Sequence, residues 1–260
     1  MKETILLIVI SIFLFANNSN ADRRFFGRSY TSYTLPSKTL ELEIWNTGKF
    51  GKDSGYFYRW QPRLEFEYGV TDNLTASIYF NFDETRTSQN TLPQKSLSFS
   101  STSFDIKYRL FDLGKYFIDP MLYSEIYFGG DKVKFEPKII LTKRSSRVIG
   151  VVNINFEIEK DIPASLTESK FEVTSGLAYE VNANFALGVE LRNHINFQDI
   201  YSSKKNEALY IGPTINIQTE RFYLTLNAIG QVYGNPSTSN GLELKGHEKY
   251  EFRTILGINL

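Results

Sequence analysis

Along most of this chain the apolar positions recur every second residue. In the stretch Trp60-Gln61-Pro62-Arg63-Leu64-Glu65-Phe66-Glu67-Tyr68, Leu64, Phe66 and Tyr68 alternate with Arg63, Glu65 and Glu67. Period-two alternation gives a strand with one apolar and one polar face. Twelve such segments are predicted: 38–46, 57–69, 74–83, 97–110, 116–128, 133–143, 148–159, 170–180, 185–197, 209–218, 222–233 and 249–260. Each sets an apolar row against a polar one. In the third, Ile78, Phe80 and Phe82 oppose Ser77, Tyr79, Asn81 and Asp83.

The connections alternate too. Short turns are predicted at 70–73, 111–115, 144–147, 181–184 and 219–221, and longer polar loops at 47–56, 84–95, 160–167, 198–207 and 234–247, with Gly129-Gly130-Asp131 the short exception. An even number of antiparallel strands with turns short at one end and loops longer at the other is the pattern of an outer-membrane β-barrel, and it leaves both termini in the periplasm.

Charge decides which face would meet lipid. The polar rows hold nine basic residues, among them Arg59, Arg63, Lys107, Arg109, Lys134, Lys138, Arg192 and Arg253. At roughly 2–4 kcal/mol for each Arg or Lys at the bilayer midplane, that set belongs inside. Ile78, Phe80, Leu122, Ile154, Val189 and Leu226 then face lipid. The pore lining predicted on this basis adds the acidic positions Glu65, Glu67, Asp105, Asp119, Glu125, Glu136, Glu157, Glu172, Glu190 and Glu251. The soluble alternative, a sandwich with its apolar faces packed together, satisfies the same alternation. It gives no reason for turns and loops to alternate in length.

Residues 1–21 read as a secretory signal: Lys2, an apolar run over 5–16, and Ser19-Asn20-Ala21 before the cut. An apolar run of a dozen residues falls short of the roughly 20 that span a bilayer. The mature 239 residues suit one all-β domain, with an N-terminal periplasmic segment over 22–37 and the barrel over 38–260. That segment, with Arg23, Arg24, Arg28, Phe25, Phe26, Tyr30 and Tyr33, is expected as a flexible tail. The alternative folds it against or into the periplasmic mouth, where its arginines would meet wall carboxylates.

The chain has a formal net charge of zero and no cysteine, so neither a concentrated basic patch for nucleic acid nor a disulfide framework nor a lipid-attachment Cys is indicated. Tyr and Phe dominate an aromatic share of 15%, which fits strands and membrane interfaces alike.

The hairpin Glu65-Phe66-Glu67-Tyr68-Gly69-Val70-Thr71-Asp72-Asn73-Leu74-Thr75-Ala76 resembles one recurrent in Gram-negative outer-membrane proteins, and Tyr179-Glu180-Val181-Asn182-Ala183-Asn184-Phe185 is a weaker copy. Phe26-Gly27 followed by Leu35-Pro36-Ser37-Lys38 is similar to the start of a family of uncharacterised outer-membrane barrels, some relatives of which are labelled transporters. The segment 250–260 resembles the terminal strand read by the outer-membrane assembly machinery, although it ends on Leu260 where Phe or Trp is usual. The resemblance implies as partners outer-membrane lipid, that machinery with its periplasmic chaperones, and a small hydrophilic solute.

Catalytic chemistry is weakly indicated. Twelve-stranded barrels include a phospholipase family using Ser, His and Asn, but neither His194 nor His247, read as a wall and an exposed loop residue, is spaced to build a nucleophile and base. With no Cys and no close His pair, no metal set is defined, although Glu41 with Glu43, or Glu157 with Glu159, shares a face. No cofactor is implied. The expected function is a narrow passive pore for small hydrophilic solutes. The alternative is a closed structural or adhesion barrel binding through its loops. Fifteen inward acids against nine bases predict mild cation preference.

Overall fold

The computed structural model describes residues 24–88 and 94–260. The signal segment 1–21 lies outside them. Twelve strands run in chain order: β1 (Leu40–Phe50), β2 (Phe57–Thr71), β3 (Leu74–Thr87), β4 (Lys95–Arg109), β5 (Asp119–Gly129), β6 (Lys132–Ser145), β7 (Val148–Asp161), β8 (Leu166–Asn182), β9 (Phe185–Phe197), β10 (Lys204–Gln218), β11 (Phe222–Asn235) and β12 (Tyr250–Asn259). Each pairs antiparallel with its sequence neighbours, and β1 closes on β12 with Leu42 opposite Ile258. Closure leaves no strand edge, so the backbone groups of the wall are paired within it, as a hydrocarbon surround demands.

Burial runs opposite to a water-soluble protein. Glu41, Glu65, Glu67, Lys107, Glu190 and Glu251 are buried inside, whereas Phe104, Ile106, Leu122, Ile126 and Val189 are among the exposed outward residues. A soluble fold hides its apolar rows and leaves charge in water. A single closed sheet with charge within and apolar side chains without is a transmembrane barrel, and the packed sandwich falls away. Exposed aromatics sit toward both rims: Tyr68, Tyr108, Tyr179 and Phe222 near the short turns, and Phe50, Phe128, Tyr233 and Phe252 near the loops. Such girdles mark the two membrane interfaces.

The strands outrun the apolar alternation toward the loop end. β8 starts at Leu166 and β10 at Lys204, because Leu166 pairs with Asp161 and Lys204 with Phe197. Ladder hydrogen bonds need no apolar side chain, so hydropathy stops before the hairpin does. This weakens the predicted loop asymmetry: β7 joins β8 through 162–165 and β9 joins β10 through 198–203, while the β4–β5 connection is longer than predicted, at 110–118, and the expected short exception is seen between β5 and β6, where Gly130 and Asp131 make the turn. Gly130 takes a left-handed φ of 56° there, a conformation glycine adopts without strain.

Candidate functional site: a polar lumen and its plug

The lumen is filled at the short-turn end by the N-terminal segment. The Arg24 carbonyl accepts from Asn216 Nδ2 at 2.8 Å and from the Thr225 hydroxyl, while its guanidinium pairs with Glu43 at 2.9 Å. Phe25 and Phe26 pack on Ile149, Val151, Ala178 and Ala186, an apolar patch of the wall, and Tyr30 packs on a second one with Met121, Tyr123 and Ile140. Gly176 leaves the space that the Phe26 ring occupies. The chain then turns over. Gly27, Arg28 and Ser29 donate successive backbone N–H groups to the Glu190 carboxylate at 3.1, 2.8 and 2.5 Å, and Arg253 donates to the Gly27 carbonyl at 2.8 Å.

On the return, Asn153 pairs with both backbone groups of Tyr30, at 2.6 and 2.9 Å. Ser32 N–H donates to Thr142 at 2.8 Å, Leu35 N–H to Thr75 at 3.0 Å, and Ser37 N–H to Asp72 at 2.9 Å. The contacts run from β10 and β11 near their short-turn ends, up to Glu190 and Arg253, and back down to the β2–β3 turn. An extended segment with no partner strand must satisfy its backbone groups on side chains. The polar wall supplies them.

The N-terminal segment 22–37, expected as a flexible tail, follows the alternative over its described part: Arg24, Phe25, Phe26, Ser29, Tyr30, Ser32 and Leu35 are buried in the barrel, and Arg24 and Arg28 meet the wall carboxylates of Glu43 and Glu251. A polar row reads from sequence as wetted lining, and the same row can equally be a docking surface.

Above the plug, toward the loop end, lies a cavity of about 500 Å³ floored by Arg28, Tyr30 and Trp45. Of the predicted lining, Arg59, Arg63, Glu125, Lys134, Glu136, Lys138, Glu157, Glu172, Arg192 and Arg253 face it. Glu65, Glu67, Asp105, Lys107, Asp119 and Glu190 are buried lower, around the plug. Glu251 is buried behind the cavity, bound by Arg28 at 2.5 Å and Arg192 at 2.9 Å. Arg109 lies at the rim, donating to the Asp72 carbonyl at 2.6 Å.

The lining predicted from the sequence pattern does not include Lys49, Lys132 or Trp45, and the pattern offers Arg28 and Tyr30 only through the alternative placement of the N-terminal segment. Lys49 lies beyond the predicted strand 38–46, since β1 continues to Phe50. Trp45 continues the inward row of Glu41 and Glu43, so the period alone pointed to it.

Charge pairs form both across strands and along one: Lys107 and Lys170 reach carboxylates on other strands, and Lys138 reaches Glu136 two positions back on β6. Lys107 contacts Glu67 and lies 3.7 Å from Glu65, Lys138 meets Glu136 at 2.9 Å, and Lys170 meets Glu157 at 2.5 Å. Arg63 makes no such pair with Glu65, two residues away on the same face, and donates instead to Asn81 at 2.7 Å. Register sets the cross-strand neighbours: Asn81 lies opposite Arg63 and Glu157 opposite Lys170, closer than residues two apart on one strand. The acids and bases also separate along the axis. Glu41, Glu43, Glu65, Glu67, Asp105 and Glu190 lie in the plugged half, and the cavity itself is lined by ten Lys and Arg against five Glu. The count over the whole wall behind the cation preference therefore misses how the charge is distributed.

The long β11–β12 loop folds inward. Glu243 accepts backbone N–H groups from Lys245, Gly246 and His247 at 3.1, 2.9 and 3.1 Å. His247, expected as exposed, is 4% exposed, its ring 5.1 Å from that of His194. Burial, then the charges of His194, Arg192 and Lys52, push the His247 imidazole down to about 2. His194 sits 2.8 Å from Glu172 and 2.9 Å from Asn196. Neither ring contacts a Ser or Thr hydroxyl among the described residues, so no nucleophile–base pair is assembled.

Carboxylate oxygens of Glu43, Glu65 and Glu67 lie within 4.8 Å of one another. Arg24 and Lys107 already meet Glu43 and Glu67 there, as counter-charges in place of a cation.

A family model described as a family of unknown function (DUF6662) matches residues 18–260. No curated protein matches the sequence. Among solved structures, the COG4313 outer membrane channel from Pseudomonas putida F1 is similar at 12% identity and a TM-score of 0.71, over 88% of this chain and 98% of that one. The NanC porin is similar at 10% identity and 0.57, over 84% and 100%. The translocator domain of the autotransporter NalP from Neisseria meningitidis is similar at 12% and 0.54, over 86% and 89%. At these identities the likeness is one of fold.

Proposed function

Because the chain belongs to the family of unknown function DUF6662, whose description names no activity, we propose from its geometry that it is a passive channel for small hydrophilic solutes in the outer membrane of a Gram-negative bacterium. Barrels of this shape serve several tasks, so the lumen must carry the argument. The observation that carries it is the hydrophilic cavity of about 500 Å³ ending on a segment held chiefly by hydrogen bonds. A barrel that served only as a scaffold would be filled by its own side chains. Here a separate stretch of chain fills the short-turn end of the lumen, and its backbone bonds can be exchanged for water. The short-turn end, in this reading, faces the periplasm, and the N-terminal segment narrows the path there.

The acidic half of the wall is engaged with that segment and with Lys107, so the channel takes no cation preference from it. Enzymatic activity is not part of this reading, since no assembled nucleophile accompanies the two imidazoles.

Single-channel recording of the purified protein in a planar bilayer tests the proposal. A small conductance is expected, rising when residues 22–34 are deleted. A folded barrel that carries no current in either form would overturn it.

A further inference from the structure

We propose that the cavity above the plug is a binding vestibule for hexose-sized solutes carrying an oxyanion, a carboxylate or a phosphate. The proposal rests on the channel reading and names the class of solute it would admit.

The charge balance is the first observation. Ten cationic side chains line the cavity against five carboxylates. Adding the carboxylates that pair with lining cations from behind, Asp83 on Arg59 and Glu248 and Glu251 beside Lys49 and Arg192, brings the acids to eight, still short of ten. Low-dielectric walls lined by one sign of charge focus the field and concentrate the opposite ion.

The second is how the acids are distributed. Glu136 is shared by Lys134 and Lys138, and Glu157 by Lys134 and Lys170. Arg63 and Arg253 are left with no carboxylate within the 4.0 Å of an ion pair among the described residues. Arg63 donates through Nε to Asn81 at 2.7 Å, and Arg253 through Nε to Thr47 at 2.9 Å and through Nη1 to the Gly27 carbonyl at 2.8 Å. A guanidinium carries five donors, so each keeps N–H groups for another acceptor.

Geometry is the third. Both guanidinium groups lie against Trp45, at 5.3 and 5.1 Å from its ring, so two cations with unspent donors converge over one flat apolar surface. The planar fork of Arg matches carboxylate and phosphate oxygens in pairs. Sites that bury small ligands usually measure about 300–1,000 Å³, which the cavity satisfies.

The probes are glucuronate, glucose 6-phosphate and glucose, alike in size and different in charge. The chain has two tryptophans, so Trp60→Phe leaves Trp45 as the reporter. Titrating the detergent-solubilised, folded protein at low salt should give a saturable fluorescence change with at least one of the two anions and none with glucose at equal concentration. Which anion binds separates carboxylate from phosphate. Arg63→Gln, which leaves the plug contacts untouched, should weaken binding at least tenfold. Equal responses to all three sugars, or full affinity in Arg63→Gln, would overturn the proposal. The titration needs no current: a protein that binds the anion but does not conduct sinks the channel and leaves the vestibule. Cation-selective current without anion binding does the reverse.

Discussion

Replacing Glu190 by alanine is expected to loosen the plug without unfolding the barrel. The carboxylate accepts from three successive backbone N–H groups of residues 27–29 and from Asn227 Nδ2 at 3.0 Å. A hydrogen bond to a charged acceptor nets about 1.5–3 kcal/mol, but the three share one acceptor, and water entering the vacated space re-pairs some donors. About 3 kcal/mol for the set is a reasonable share, equal to roughly a hundredfold change in the docked-to-undocked ratio at about 1.4 kcal/mol per decade. Asn153 on Tyr30 and Arg253 on Gly27 remain, so the segment should open transiently rather than leave. The assay uses the absence of cysteine from the chain. Ser29→Cys places a thiol at the buried apex, and its labelling by a charged maleimide reports the undocked fraction. The rate should rise by tens to a hundredfold in Glu190→Ala and by less in Glu190→Gln, whose amide oxygen still accepts. An unchanged rate in a barrel that keeps its heat-modifiable mobility would show that Glu190 does not hold the plug.

Other sites test other links. A methyl group at Gly27 would overlap the Asn227 side chain and one at Gly176 the Phe26 ring, so either Ala variant should destabilise docking by about 1–3 kcal/mol and raise the same labelling rate; native-like protection in both would refute the close packing. Ile78→Arg or Leu226→Arg on the outward face should cost roughly 2–4 kcal/mol near the midplane and depress refolding into lipid vesicles, and wild-type yields would invert the facing. His247 is neutral in the docked loop down to about pH 2. As pH falls below its ordinary value of about 6.5, the undocked loop takes the proton first, so docking weakens by up to about 1.4 kcal/mol per unit, with no effect above that value. Hydrogen exchange at residues 242–249, corrected for intrinsic rates, should therefore be faster at pH 4.5 than at pH 7.5, and His247→Gln should remove this contribution; equal protection at both values argues against it.

The barrel was legible in the order of residues alone. All twelve strands and the inward and outward rows follow from period two, because lipid outside and a polar interior impose that period on every strand, wherever it lies in the wall. Hairpin order follows as well, since consecutive antiparallel strands joined by brief connections can only be neighbours. The lumen's contents were decided by the tertiary structure. Which carboxylate meets which lysine depends on the register between strands, so Lys107 finds Glu67 across the sheet while Arg63 passes over Glu65 for Asn81. Arg24 to Ser37 has no period to betray it, because an extended segment bonded to side chains needs neither alternation nor a partner strand. Glu190 reads as wall charge in the chain and becomes an anchor only where closure of the barrel brings β9 against residues 27–29. The sign of the open cavity follows from the same cause: a count along the chain sums all inward charge, and only the folded arrangement separates the half engaged with the plug from the half left facing water.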